Sequence, residues 1–271
     1  MKLSVTVITL NEAAHIGAAL ASVAWADEII VIDCGSSDGT VDIARLQATR
    51  VEVRDWPGYG AQKNRAAELA SHDWILSLDA DERVTPELAQ EIRGILQHPG
   101  AAGYRIPRVT WYLGRWIRST DWYPDLQLRL YDRRAARWNL RQVHESVDLG
   151  ERPGRLRHEI QHYAYRDVSH HLATIDRYTT LAADQWMEDG RRTTALEAVV
   201  HPPLAFLRNY ILRGGFRDGA AGVLVSLLNS YYVFLKFVKL WERQQRPQSG
   251  ASAARPDDER RQLPPDRSRT V

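Results

Sequence analysis

The pattern of apolar and polar positions changes character near residue 100. Before that point, short apolar runs alternate with segments of helical period. Residues 3–10 are mostly β-branched and stop at Asn11-Glu12. Residues 13–23 place Ile16 and Leu20 at helical spacing behind Asn11, a fair N-cap. Residues 28–33 form a second apolar run that ends in the polar, Gly-rich turn 33–40. A helix over 41–48, a strand over 50–55, a helix over 62–70 and a strand over 74–78 follow. This order predicts a parallel sheet covered by helices. Such sheets bind ligands beyond the carboxyl ends of their strands. Asn11-Glu12, Asp33 with Asp38, and Asp79 with Asp81 all fall at those ends.

From residue 100 the pattern predicts an antiparallel, aromatic half suited to shaping an acceptor pocket. Residues 103–107 and 111–117 read as strands with aromatic faces, 122–131 turn and then alternate, and 156–165 alternate again. Residues 169–187 read as a helix with Leu172, Ile175, Tyr178 and Leu181 on one face. Residues 204–212 are apolar, and 220–241 are rich in Leu, Val, Tyr and Phe. The uncharged stretch 219–235 is just short of a confident membrane span. Arg208, Arg213, Arg217, Lys236, Lys239 and Arg243 flank it and suit anionic headgroups, so an interfacial membrane element is expected, with a buried core helix as the alternative. Residues 244–271 are rich in Pro, Ser and Arg and are expected to be disordered. The expected divisions are therefore 1–100, 101–168, 169–243 and 244–271.

Composition narrows the picture modestly. At 271 residues the chain forms one large domain or one and a half, and 44% hydrophobic with 26% charged residues is ordinary for a soluble protein. A net charge of +2 gives no reason to expect nucleic acid as a partner. Cys34 is the only cysteine, which excludes an intrachain disulfide and favours a reducing compartment. The apolar stretch at the start reads as a strand rather than a signal peptide. Nine tryptophans and eleven tyrosines supply flat surfaces for a core, a sugar or a membrane interface.

The stretch 74–82, Trp-Ile-Leu-Ser-Leu-Asp-Ala-Asp-Glu, concentrates the candidate chemistry. Carboxylates at the end of a buried strand cost desolvation energy unless a cation or donor answers them. Period-two alternation would point Asp79 and Asp81 the same way, a donor pair suited to Mg²⁺ or Mn²⁺ that also holds phosphate. Downstream, Thr85 as N-cap and Pro86 at the first helical position mark a helix start. His158-Glu159-Ile160-Gln161-His162 matches a zinc-protease pattern. The surrounding alternation predicts a strand, which would hold the two histidines about 13 Å apart, too far to share one zinc. His162 alone is a candidate to complete a metal shell. Gly58-Tyr59-Gly60 is followed by Lys63 where a dinucleotide fingerprint requires glycine, and no P-loop occurs.

Together these stretches resemble the family 2 inverting glycosyltransferases of the GT-A fold. The matching motifs are Thr9-Leu10-Asn11-Glu12, Asp33-x-Gly35-Ser36-x-Asp38-x-Thr40, Gln62-Lys63-Asn64 and Asp79-Ala80-Asp81-Glu82. Across about residues 1–240 the chain is also similar to the lipopolysaccharide core β-1,4-glucosyltransferase subgroup, through Trp122-Tyr123-Pro124-Asp125-x-Gln127-x-Arg129-Leu130, Val143-His144-Glu145 and the apolar stretch 219–240. The resemblance implies an α/β fold with a mostly parallel sheet, and an enzyme moving a sugar from a nucleoside-diphosphate donor, UDP-glucose first among them. The implied acceptor is a lipid-linked glycan such as lipopolysaccharide core, met at the cytoplasmic face of the inner membrane.

The resemblance also implies roles. Asp33 would accept hydrogen bonds from a base or ribose, with Thr9, Asn11, Glu12, Ser36 and Asp38 around it. Lys63 and Asn64, expected at a helix start, would approach diphosphate or ribose. Asp81, supported by Asp79, would hold Mg²⁺ or Mn²⁺ on the diphosphate. Inversion requires one base opposite the leaving group. Glu145 is the first candidate, Asp125 the second and Asp121 the third. Many family 2 enzymes carry an acidic pair at the base position; between residues 100 and 160 the nearest counterpart is His144-Glu145. Arg129 would clamp a phosphate or acceptor carboxylate, His144 would position the base, and Trp122 and Tyr123 would stack on a sugar. A polyprenyl phosphate acceptor, or a non-catalytic sugar-binding module, are the competing readings.

Overall fold

The computed structural model describes residues 1–140 and 145–245. The expectations placed on His144 and on residues 246–271 lie outside them. Two compact units are present, one built from 1–109 and 125–163, the other from 110–124 and 164–245.

The first unit opens with β1 (Leu3–Thr9), α1 (Ile16–Ser22), β2 (Glu28–Asp33), α2 (Thr40–Arg45), β3 (Arg50–Val53), α3 (Tyr59–Glu68), β4 (Trp74–Asp79), β5 (Glu82–Val84) and α4 (Pro86–Ile95). β3, β2, β1 and β4 lie side by side in that order and all pair in parallel. Residues of β1, β2 and β4 alternate between two cores, as a sheet covered on both faces requires. Leu3, Val5, Val7, Val31, Leu76 and Leu78 pack against Ile16 and Leu20 of α1 and Leu88 and Ile92 of α4. Ile8 and Ile32 turn the other way, onto Ala66 of α3. The Thr85 hydroxyl caps α4 by accepting from the Leu88 N–H at 3.2 Å, with Pro86 opening the helix as its φ preference dictates.

The sheet continues in antiparallel fashion, giving the α/β arrangement expected for a GT-A fold. β6 (Gly103–Tyr112) makes a hairpin with β7 (Arg115–Ile117), and β8 (Asp125–Asp132) inserts between β4 and β6, antiparallel to both. β9 (Ala136–Trp138) and β10 (Val147–Leu149) form a separate ribbon. β11 (Gly154–Arg155) runs beside β6, and β12 (Ile160–His162) pairs with β5. The strand expected over 156–165 is thus only three residues long. His158 answers Glu91 at 2.8 Å while His162 faces Asp81, so the two histidines serve different partners and the zinc-protease pattern has no structural counterpart.

The second unit is helical and aromatic. It comprises the end of β6, β7, and α5 (Val168–Glu188), α6 (Ala195–Leu207) and α7 (Gly219–Gln245), with a π turn at Arg208–Leu212. Tyr112, Trp122, Tyr165 and His171 pack ring against ring, with Tyr165 and His171 stacked 4.1 Å apart. Burial holds His171 uncharged, its pKa depressed to about 4 with help from neighbouring His170. Gly215–Gln245 is long and apolar enough to cross a membrane by length and composition. Polar contacts nonetheless tie α7 to its neighbours. Lys239 donates to Asp176, Thr179 and Thr180 of α5 at 2.6–2.9 Å, and Asn229 donates to Asn209 at 3.0 Å.

Candidate active site

The carboxyl ends of β1 and β2 are stitched together by their own loops. The Asn11 N–H donates to Ser36 Oγ at 2.7 Å, and the Ser37 N–H donates to Asn11 Oδ1 at 2.8 Å. The Glu12 N–H donates to Thr40 Oγ1 at 2.8 Å and the Ala13 N–H to Asp38 Oδ2 at 3.1 Å. Asn11 therefore does not cap α1, which starts later behind His15; it sits at a φ of +52° with its side chain committed to the β2 loop. Asp33 is fully buried, and its oxygens accept from the N–H groups of Gly35 (2.8 Å) and Ser36 (2.7 Å) and from the Ser36 hydroxyl. Asp33, Ser36 and Asp38 thus fix the loops that follow β1 and β2, mostly through backbone N–H groups. Thr9 Oγ1 is buried there without a hydrogen-bond partner among the described residues.

Cys34, at the end of β2, is buried and accepts from Gln62 Nε2 of α3 at 3.4 Å. Burial pushes its thiol up to about 12.

α3 starts at Tyr59, three residues before the expected start, so Lys63 and Asn64 lie in its second turn rather than at its N-terminus. The anion preference of a helix start does not reach them. Asn64 spends its amide on the Trp138 backbone, donating at 2.8 Å and accepting at 3.0 Å. It anchors α3 to β9. α3 also runs close to the next residue: a Cβ on Gly60 would come within 1.8 Å of the Asn139 carbonyl oxygen.

Lys63 points into a buried charge network at the end of β4. Its Nζ lies 3.4 Å from Asp79 and 3.2 Å from Glu145, and 4.3 Å from the centre of the Trp138 ring. Burial lowers the lysine's pKa, while the charges of Asp79, Glu145 and Glu82 oppose that shift. Arg129 on β8 donates through Nη2 to Asp79 at 2.6 Å and to Glu82 at 3.1 Å. Burial alone would lower the arginine's pKa, but the surrounding Asp79 and Glu82 charges raise it. Its Nε and Nη1 are buried without a partner among the described residues. Arg108 on β6 joins Glu82 at 2.9 Å to Asp125 at 2.6 Å. Glu82 is fully buried and also accepts the Asp79 N–H at 2.9 Å.

Asp79 and Asp81 face different partners. β4 ends at Asp79, and Ala80-Asp81 is the turn into β5, so period-two alternation stops before Asp81. Asp79 faces Lys63 and Arg129, whereas Asp81 Oδ2 lies 3.4 Å from His162 Nε2. Among the described residues no three His, Cys, Asp or Glu side chains converge as a ready-made metal cage. Asp81 nevertheless fits a divalent ion whose other ligands are phosphate oxygens and water, and His162 beside it adds a nitrogen donor that Mn²⁺ accepts more readily than Mg²⁺. The Nδ1 of His162 is buried without a partner among the described residues. Asp79, expected beside Asp81 at the metal, has Lys63 and Arg129 as its charge partners here.

The three base candidates separate clearly. Glu145 is held by Lys63 with its side chain still 20% exposed. Asp125 is in a two-pronged contact with Arg108, at 2.9 and 2.6 Å. Burial would raise its pKa, but the Arg108 charge and hydrogen bonds from Gln127 and Arg108 hold it below the usual range. Asp121 belongs to the second unit, tied to Arg208, Arg213 and Asn209. Trp122 also lies there, donating its indole N–H to Asn229 at 3.1 Å, and Tyr123 sits under the Arg118 guanidinium. Arg108 and Trp138 are the members of the site that motif reading did not single out. A charged residue inside the apolar alternation of β6 was the available signal for the first.

Residues 4–150 match the model of Glycosyl transferase family 2. The lipopolysaccharide core biosynthesis glycosyltransferase LpsC of Rhizobium meliloti (strain 1021) is 30% identical over 251 residues, covering 90% of this chain and 93% of that protein. A glycosyltransferase of Rickettsia bellii (strain RML369-C) is 29% identical over 257 residues, covering 89% and 86%. Among solved structures, S. aureus TarS 1-349 is similar at 14% identity and a TM-score of 0.46, over 94% of this chain and 95% of that one. With more than half of its length matched and a relative of this identity aligned almost end to end, the chain belongs to glycosyl transferase family 2 and is a glycosyltransferase.

Proposed function

We propose that this glycosyltransferase works by a single inverting displacement with Glu145 as the base. The sugar comes from a nucleoside-diphosphate donor, UDP-glucose first among the candidates. The acceptor is a lipid-linked glycan of the lipopolysaccharide core type, met at the cytoplasmic face of the inner membrane. The observation that carries this reading is the placement of Glu145, a partly exposed carboxylate fixed by the buried Lys63, whose other anionic partner ends the strand leading to Asp81.

The residues divide the work. The loops after β1 and β2 form the floor for the nucleotide, with Thr9 offering a hydroxyl that has no hydrogen-bond partner among the described residues. Asp81 and His162 would hold Mg²⁺ or Mn²⁺, which supplies neutralisation of the charge developing on the departing diphosphate. Lys63 holds the Glu145 carboxylate in place, and Glu145 takes the proton of the acceptor hydroxyl. Asp79, Glu82, Arg108 and Arg129 keep these groups in register, because each charge is answered by another in a water-poor setting. The similarity to LpsC supports the acceptor class.

The test is UDP release from a panel of nucleotide sugars with Mn²⁺ or Mg²⁺ and then with EDTA, alongside donor binding in the same samples. EDTA and Asp81→Ala are each expected to lower metal-dependent donor binding and transfer by about 10²-fold or more, the equivalent of several kcal/mol. Donor binding unchanged by both would overturn the metal assignment, and no binding of any donor would overturn the UDP-sugar assignment. Acceptors supplied as core oligosaccharide and as polyprenyl phosphate decide the acceptor class.

A further inference from the structure

The second unit contains a helix turned inside out. α6 starts with a capping box, in which the Thr194 hydroxyl and the Glu197 carboxylate satisfy each other's backbone N–H groups. Its inward face is small or polar: Ala198, Pro202 and Ala205 are buried, and Asn209 follows them into the π turn. That face is held to α7 by Ser230 Oγ donating to the Pro202 carbonyl at 2.7 Å and by the bond between Asn229 and Asn209. The outward face carries Leu196, Val199, Leu204, Leu207, Ile211 and Leu212, all exposed, with Leu196 at 70% and Leu212 at 80%. A helix on the surface of a soluble domain puts its apolar stripe inward. Here the order is reversed, and residues 198–207 contain no Asp, Glu, Lys or Arg.

Basic residues bracket this stripe. Arg191 and Arg192 precede it; Arg208, Arg213 and Arg217 follow it, all exposed. Arg191 and Arg192 have the exposed Glu188 and Asp189 beside them in the chain, so the excess positive charge lies at the far end: there Asp218 is buried and bonded to Ser119 and the Arg118 N–H, and Asp121 is shared by Arg208 and Arg213. An apolar stripe with an excess of arginine at its far end is complementary to a bilayer surface with anionic headgroups, where the arginines reach phosphate and the stripe lies among the acyl chains. α7 is the less suitable element for that contact, because Lys239 is fixed within its length by four bonds to α5.

We infer that α6 and its π turn, residues 196–212, dock this protein in the plane of an anionic lipid surface. This deepens the reading of a lipid-linked acceptor and rests on it for its purpose, but vesicle binding is measured without donor or acceptor, so the two fail separately.

The experiment is co-sedimentation of the full chain with phosphatidylcholine vesicles, with and without phosphatidylglycerol, at two salt concentrations. Binding is expected to be at least tenfold stronger with phosphatidylglycerol. The pair Leu204→Glu with Leu207→Glu is expected to lose at least tenfold, and the pair Arg213→Gln with Arg217→Gln to lose most of the preference for the anionic lipid. Should the leucine variant misfold, Leu212→Cys carrying an environment-sensitive fluorophore is to be read on the vesicles, where a blue shift is expected and its absence overturns the inference. Equal binding to both vesicle types, or wild-type binding by a folded leucine variant, also overturns it. So does a dimer in solution that the leucine variant dissociates with no vesicle binding by the wild type, which would assign the face to a second copy of the chain.

Discussion

Glu145→Gln is expected to slow transfer about 10²–10⁴-fold, the usual worth of a general base, while donor affinity stays within a factor of about two. The substitution keeps the size of the side chain and removes its capacity to accept a proton. Lys63 loses one anionic partner but retains Asp79 at 3.4 Å, so the buried ammonium is not stranded. The effect should therefore fall on turnover rather than on binding, the signature of a group that acts only in the transition state. Initial rates of UDP release with acceptor, set beside calorimetric donor binding, check it. Near wild-type turnover would remove Glu145 from the role. Asp125→Asn belongs in the same experiment, because Asp125 is the remaining acid of the first unit with a claim to the base. Its two-pronged contact with Arg108 lowers its proton affinity, which makes it the weaker base.

The second large effect is on stability. Arg129→Ala is expected to cost about 3–5 kcal/mol, the range for removing one partner from a buried charge cluster. Arg129 is 3% exposed and its Nη2 holds both Asp79 and Glu82, the latter with no exposure at all. Without the guanidinium, Glu82 keeps Arg108 and Asp79 keeps Lys63, and among the described residues a balance of four carboxylates to three cations worsens to four against two. Most of the loss is the desolvation of carboxylates left under-compensated, so apolar replacement of the whole cluster would not carry the same cost. Urea unfolding followed by circular dichroism measures it. Arg129→Lys should recover part of the loss by restoring charge without the planar fork. A loss below about 1 kcal/mol would mean that the cluster does not hold β8 against β4.

How far the sequence reached depended on how local each determinant is. The parallel strands were legible because Val5, Val7, Ile30, Ile32 and Leu76 are buried on both faces, so apolar runs alone mark them. Thr85 and Pro86 were legible because capping is decided within four residues. Asn11 misled because its side chain is used 26 residues away, on Ser37. The start of α3 was obscured by Tyr59-Gly60-Ala61, which carries little apolar periodicity, and this displaced Lys63 and Asn64 from the helix end where they were expected. Asp79 and Asp81 were paired by an alternation that holds only within a strand. Arg108 escaped notice because its partner Glu82 lies 26 residues earlier on another strand, a relation that only the sheet order creates.

The burial of Cys34 is expected to leave the folded chain slow to react with thiol reagents. It is the single cysteine, 7% exposed, with a thiol whose ionisation lies far above neutral pH. Alkylation therefore waits for the edge formed by β1, β2 and α3 to open, and its rate is a clock for that opening. In the proposed reading the donor binds these loops, so its occupancy slows the clock. A reporter cysteine placed at an exposed position such as Leu212 can then be labelled selectively, with the native thiol left in place.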